Sequence, residues 1–384
     1  MQQPLPIPQP LPGDNAADGS HRLVGVHGGP DAQGVPVHDF STNSNACGPC
    51  PEALACVQQA DPTRYPDPAY TALRAALAAL HGVVPGRIVV AGSASEFIHR
   101  ITTWARLQCA AQVLLPLHSY GDYAQAAQAH GLAVRRRGAG DVDVDVDVDG
   151  AHDASTTLHW ACEPASPLGT VDAALAAWHA DPTLKTPGSL RVLDCAYRPL
   201  VLEPADPAPA LPASAWQLWS PNKALGLTGV RAAYAVAPAG GEGTVLALQA
   251  LASSWPVGAH GVALLHAWAT PAVQQWVAAC LPTLREWKVR QQALCSALGW
   301  AVVPGSLANY FCAQPHTATL QSDLAMLRAS GIKLRDATSF GLPGMVRLGV
   351  LAPAAQDALR AAWLAVLGPA GRTIPHSIGS RETL

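Results

Sequence analysis

The sequence has little lysine: Lys185, Lys223, Lys288 and Lys333 stand against twenty arginines among 384 residues. It has little charge of any kind, with 13% charged residues and a formal net charge of -3. Such a chain offers no general basic surface, which argues against nucleic acid as a partner. The basic run Arg135-Arg136-Arg137 is local and reads as a solvated strand or helix end. Long apolar runs are missing too, since none reaches the ~18 residues of a membrane-spanning helix. Met1 to Gly13 is rich in proline and glutamine and lacks the basic and apolar regions of a secretory leader. The nine cysteines follow no framework spacing. Cys47 and Cys50 form a C-x-x-C in a proline-bearing loop, but without a second Cys pair they make a poor zinc site. The thiols are expected to be reduced core filler in a cytoplasmic protein.

What is present is a large apolar fraction, 49%, enough for a sizeable core. The length fits one large domain and a smaller one. Tyr70–His81 has helical apolar spacing, and short β-like runs follow at Arg87–Ala91, Gln112–Leu115, Thr157–Cys162, Leu190–Leu193, Trp216–Trp219 and Arg231–Val236. Helical patterns at Glu96–Ala105, Asp122–His130 and Val171–His179 lie between them. Alternation of this kind predicts an α/β fold, a mostly parallel mixed sheet between helices. After Thr244 the pattern predicts helices at Val245–Ala252, Val262–Ala279 and Leu284–Leu298. Strands near Ala301–Val303, Tyr310–Ala313 and Val346–Leu348, with helices at Ser322–Ala329 and Pro353–Leu367, make a smaller α+β unit. The expected division is a loose extension 1–20, an arm 21–48, a large domain 49–252, an interdomain helix and small domain 253–367, and a loose tail 368–384. The Asp141–Gly150 run (DVDVDVDVDG) puts repelling carboxylates on one face, which fits a solvated edge or loop expansion better than a calcium site.

The most informative segment is Ser220-Pro221-Asn222-Lys223-Ala224-Leu225-Gly226-Leu227-Thr228-Gly229-Val230-Arg231. A lysine sheltered from water attacks carbonyls to form imines, and an arginine with nearby hydroxyls holds a phosphate. Together they point to a Schiff-base lysine beside the phosphate of pyridoxal phosphate; the plainer alternative is a snorkelling surface lysine. Pyridoxal chemistry also needs a carboxylate against the ring nitrogen. Asp194, at the end of a strand, stands where α/β sheets deliver ligands, and Tyr197 follows three residues on. The turn Gly92-Ser93-Ala94-Ser95-Glu96 offers amides and hydroxyls to a phosphate, or is only a helix entry. Tyr120 is placed to cover a ring face, and Arg347 to take a carboxylate.

In this order along the chain, the segments resemble fold-type I pyridoxal-phosphate enzymes of aminotransferase class I/II. The likeness is greatest to the branch of histidinol-phosphate aminotransferase and threonine-phosphate decarboxylase. It covers roughly residues 37 to 367 and includes Asp39–Asn45, Arg64-Tyr65-Pro66-Asp67-Pro68 and Ser306–Phe311. The resemblance implies an aspartate-aminotransferase-like large domain and pyridoxal 5'-phosphate on Lys223. Asp194 would pair with the ring nitrogen and Tyr197 with the phenolic oxygen. Ser93, Ala94, Ser95, Ser220, Asn222 and Arg231 would hold the phosphate, and Tyr120 would stack on the ring. Tyr65 would reach the phosphate of a neighbouring subunit, implying a homodimer with shared active sites. Asn43, Arg335 and Arg347 would bind substrate, Arg347 by its α-carboxylate and Arg335 by a second anion. The family's Asn-Pro-Asn-Asn-Pro-Thr-Gly is here Glu163-Pro164-Ala165-Ser166-Pro167-Leu168-Gly169. Ser166 therefore replaces the asparagine that meets the phenolic oxygen, and Glu163 is expected at the rim. Likewise Asp194 is followed by Cys195 where Glu is usual, Asn222 replaces a Ser, and His118 a Pro. The implied activity is transamination of an amino acid or its phosphorylated relative. Decarboxylation of threonine phosphate in cobalamin synthesis is the alternative, with a catalytically silent binding protein third.

Overall fold

A computed structural model of the chain describes residues 27–138, 156–180, 189–203 and 210–367. The expectations for 1–20, the Asp141–Gly150 run and the tail from 368 lie outside the described residues. The first half runs β1 (His38–Asp39), α1 (Pro51–Gln58), α2 (Thr71–His81), β2 (Ile88–Ala91), α3 (Ala94–Leu107), β3 (Gln112–Leu115) and α4 (Gly121–Ala129). It continues with β4 (Ala133–Arg136), β5 (Thr157–Cys162), α5 (Ala174–Ala180), β6 (Leu190–Asp194), β7 (Trp216–Trp219) and β8 (Ala233–Val236). Then come α6 (Glu242–Ala250), α7 (Ala259–Trp268), α8 (Pro271–Ala297), β9 (Ala301–Val302) and β10 (Tyr310–Gln314). Last are α9 (Leu320–Ala329), β11 (Ile332–Lys333), β12 (Arg335–Asp336), β13 (Val346–Gly349) and α10 (Pro353–Leu367).

Seven strands form the main sheet in the order β2-β8-β7-β6-β5-β3-β4. All neighbouring pairs are parallel except those of β8, which runs against β2 and β7. Every residue of β5 is buried, as a strand covered on both faces requires. One face packs Leu73, Leu77, Trp178, Leu264 and Leu284, the other Phe97, Ile101, Tyr123, Trp160 and Leu248. The Arg135–Arg137 run divides: β4 is a mostly exposed edge strand, whereas Arg137 is buried and pairs with Asp172.

The second sheet is antiparallel, β12-β13-β10-β9, and its core holds Phe40, Trp300, Phe311, Leu348, Leu359 and Trp363. The N-terminal arm joins this unit. β1 pairs in parallel with β11, and Arg328 grips Asp31 through two hydrogen bonds of 2.9 and 2.8 Å, with Lys333 3.0 Å away. The helix boundaries after α6 differ from the sequence reading. The break falls between Trp268 and Pro271, where Thr270 caps the next helix and Pro271 occupies its first turn. α8 then runs 27 residues, continuing through Pro282. The missing amide hydrogen bond there is outweighed by burial of Val273, Val277, Cys280, Leu284 and Cys295 along one face.

The arm also clasps the turn that follows β7. Asn45 N–H donates to the Lys223 carbonyl at 2.9 Å, its Nδ2 donates to the Ala224 carbonyl at 3.0 Å, and Cys50 N–H donates to Leu225 at 2.8 Å. Gly226 makes this possible, with φ +67° and no Cβ to meet the Gly48 carbonyl, which would lie 2.6 Å from one. Gly226→Ala is therefore expected to cost more than about 1 kcal/mol and several degrees of Tm. A variant that melts with the wild type in a calorimeter would contradict this reading of the turn.

Candidate active site

The carboxyl ends of β2, β3, β5, β6 and β7 and the start of β8 converge on a cavity of ≈730 Å³. The residues singled out in the sequence all line it except Tyr65, which is 78% exposed and stacks on Trp255 at 4.3 Å.

Asp194 ends β6 and is 5% exposed. Its carboxylate accepts hydrogen bonds from the Tyr123 hydroxyl at 2.7 Å and the Ala196 amide at 2.9 Å. Burial raises its pKa above the ordinary carboxylate value; the Tyr123 and Ala196 hydrogen bonds and Lys223 pull the other way. Lys223 sits half-buried, with its Nζ 5.4 Å from the centroid of the Tyr197 ring. Tyr197 is held edge-on against Tyr310, at 4.8 Å between centroids.

At the β2–α3 turn, Ser93 caps α3 by accepting from Glu96 N–H at 3.0 Å, and Glu96 reaches back to the Gly92 amide at 3.0 Å. The first-turn amides of Ala94 and Ser95 have no acceptor inside the helix, and both residues line the cavity together with Ser220, Asn222 and Arg231. Ser220 Oγ donates to Asn222 Oδ1 at 3.0 Å. Arg231 forms no ion pair among the described residues. Tyr120 precedes α4 with its hydroxyl 3.4 Å from Ser95 Oγ, and burial raises its pKa.

The small unit contributes Arg335 and Arg347 from adjacent strands, paired in register and 5% and 7% exposed. Phe340 lies beneath both guanidinium groups, at 4.7 and 5.3 Å. Arg347 donates to the Ser41 carbonyl at 3.0 Å and to Ser166 Oγ at 3.4 Å, and its Nε is buried without a partner. Burial and the neighbouring Arg347 push Arg335 down to about 10. Asn43 is 1% exposed and neither end of its amide finds a partner.

Two expectations need correction or completion. Glu163 is not at the rim. It is 2% exposed, and its carboxylate accepts from the Asp172 amide at 3.0 Å. That amide, with the nearby charge of Arg198, offsets part of the burial that raises the Glu163 pKa. Ser166, for its part, has the Arg347 guanidinium as its hydrogen-bond partner. Sequence reading also missed Tyr123, Ser41, Phe340 and Tyr310. For Tyr123 a signal existed, an aromatic one helical turn after Tyr120. Ser41 acts through its carbonyl, which side-chain identity does not reveal.

Fold and cavity define an α/β enzyme-like molecule whose strand ends gather a lysine, a buried carboxylate and an anion cradle, facing two arginines from a second unit. A profile of the aminotransferase class I and II family matches residues 35–363, and the chain belongs to that family. It is 31% identical over 213 residues to histidinol-phosphate aminotransferase 1 of Thiobacillus denitrificans, a match spanning 51% of this chain and only 53% of that protein. It is 28% identical over 336 residues to histidinol-phosphate aminotransferase 1 of Burkholderia pseudomallei, covering 84% of this chain and 90% of that one. The fold is that of histidinol-phosphate aminotransferase from Sinorhizobium meliloti, solved in complex with pyridoxal-5'-phosphate. That structure has a TM-score of 0.69 at 23% identity, over 85% of this chain and 89% of that one. L-threonine-O-3-phosphate decarboxylase from Porphyromonas gingivalis shares the fold as well, with a TM-score of 0.66 at 21% identity, over 85% and 98% of the two chains.

The environment of Asp194 carries a stability consequence. A pKa raised on folding favours the folded state at low pH, and that contribution fades as pH climbs through the raised value. Cofactor-free protein therefore holds Asp194 at a cost near neutrality. Asp194→Asn is expected to raise the melting temperature of cofactor-free protein at pH 7, with the gain shrinking toward pH 3. Melts of both proteins across that range check it, and a variant less stable at pH 7 would contradict it.

Proposed function

We propose that the chain is a pyridoxal-phosphate-dependent aminotransferase acting on an amino acid or a phosphorylated derivative of one. The observation that carries the reading is the donor set. A buried carboxylate, an amine and an amide-and-hydroxyl cradle with an arginine that forms no ion pair among the described residues fit the ring nitrogen, aldehyde and phosphate of this cofactor. The orphaned Asn43 amide and Arg347 Nε fit the polar groups of a bound ligand.

When bound, pyridoxal phosphate supplies a carbonyl that condenses with amines and a protonated ring that accepts the electron pair left at the substrate Cα. The residues of the chain do the rest. Ala94 and Ser95 amides, the Ser93, Ser95 and Ser220 hydroxyls and Arg231, with Asn222 bracing Ser220, hold the phosphate. Asp194, oriented by Tyr123, would hold the ring nitrogen in its protonated form, while Tyr120 would cover the ring and Tyr197 would donate to its phenolic oxygen. Ser166 braces Arg347. Lys223 Nζ would be the attachment point for the cofactor carbonyl and the base placed to move a proton at the substrate Cα. Arg347, with Asn43 beside it, takes the α-carboxylate, and Arg335 takes a second anion such as a phosphate.

The same reading makes the protein a homodimer, supported by the exposed Tyr65, which would reach the phosphate of the other subunit. Among the described residues no helix is long and apolar enough to cross a membrane. A cytoplasmic location is part of the proposal.

The two reaction outcomes separate in one assay. Loaded protein is mixed with histidinol phosphate or O-phosphothreonine in the absence of any keto acid. The expected result is stoichiometric conversion of the cofactor to its amine form with a carbonyl product. Repeated CO₂ release from O-phosphothreonine, the one of the two with a carboxyl group to lose, with the cofactor unchanged would overturn transamination in favour of decarboxylation. Arg335→Ala is expected to lower kcat/KM on the order of 100-fold for phosphorylated substrates and far less for unphosphorylated amino acids. Equal losses for both classes would place the second anion elsewhere.

A further inference from the structure

The cavity holds a carboxylate that the reaction above does not use. Asp122 lies in the first turn of α4, between Tyr120 and Tyr123, and lines the cavity while only 6% exposed. Among the described residues it forms no ion pair, and Asp122 and Asp194 are the acidic side chains lining the cavity. The Tyr120 phenol and Asp194 are its polar neighbours, and the two carboxylates repel. Two like charges sharing a buried site are unfavourable, and Lys223 with the amino end of α4 relieves this only in part. An Asp that served only the helix terminus would do so from solvent, without opening on the cavity. The cationic side chains Arg335 and Arg347 enter the cavity from the small unit, Arg231 from the start of β8 and Lys223 from the turn after β7, where its charge acts on Asp194. The acidic ones come from α4 and β6. The Tyr120–Asp194 side therefore carries two carboxylates against the single charge of Lys223.

We propose that Asp122 is a positioning residue for the cofactor, which with Asp194 forms a two-carboxylate wall selecting a positively charged heteroaromatic ring. The inference rests on the pyridoxal-phosphate reading. Asp194 meets the ring nitrogen directly, whereas Asp122 acts through the field at Asp194 and across the Tyr120 phenol.

The test uses cofactor-free full-length protein and two ligands: pyridoxal phosphate and its 1-deaza analogue, in which carbon replaces the ring nitrogen and no ring charge forms. Wild type, Asp122→Asn and Asp122→Ser are titrated with each, and the cofactor-free proteins are melted. Serine keeps a helix-capping group but removes the charge. Both variants are expected to lose about tenfold in affinity for pyridoxal phosphate and less than about twofold for the deaza analogue, with cofactor-free Tm unchanged or raised. Equal losses for both ligands with a lowered Tm would make Asp122 a structural helix residue and overturn the proposal. Unchanged affinities would overturn it too. If wild type takes up neither ligand, the cofactor reading itself fails, and this inference falls with it.

Discussion

A carboxylate buried at the end of a central strand, in no salt bridge among the described residues and only partly offset by Lys223, is the constraint around which this site is arranged. Asp194 receives two hydrogen bonds and still has its pKa raised by burial. Such an arrangement costs the cofactor-free protein stability, and it persists because β5, β6 and β7 fix it in the middle of a seven-stranded sheet. A cation brought against it is bound more strongly than it would be in water, because solvent no longer screens the pair. That is the physical reason the proposed reading puts a protonated ring there, with the Lys223 turn and the α3 amides completing its surroundings.

The second requirement is that two units act together. Arg347 leaves the small sheet and donates to Ser41 in the arm and to Ser166 in the loop after β5. Tyr310 reaches the carbonyls of Pro164 and Ala165, at 3.3 and 3.1 Å, and Asn309 reaches those of Asn43 and Ser44. His118 Nδ1 meets the Phe340 carbonyl at 2.8 Å, on the turn that supports both arginines. Lys288, fully buried on α8, ties the Ser306 carbonyl to Glu203. The arginines are thus positioned by contacts that cross from one unit to the other, so any shift between the units changes the geometry offered to an anion.

Much of the architecture was legible because it rests on local pattern. Continuous apolar runs such as Thr157–Cys162 and Leu190–Leu193 marked buried parallel strands, and the spacing in Tyr70–His81 marked a helix. The lysine segment stood out because lysine is scarce and its neighbours are small. What failed depended on partners distant in sequence. Nothing near Glu163 says that the Asp172 amide will stabilise it in the interior. The continuation of α8 through Pro282 depends on burial against the large unit, which overrides a local breaker signal. Ser166 could be identified as a substitution, but its engagement with Arg347 needed the approach of a strand 181 residues later. Tyr123 was hidden for a related reason: its partner Asp194 lies on another strand, 71 residues away.

The central claim is that position 223 carries the cofactor in this cavity. Loading the protein with pyridoxal phosphate, reducing it with borohydride and mapping the peptides tests this directly. The account expects one pyridoxyl label per chain, on Lys223. A label spread over Lys288, Lys333 or the amino terminus, or none at all, would contradict it.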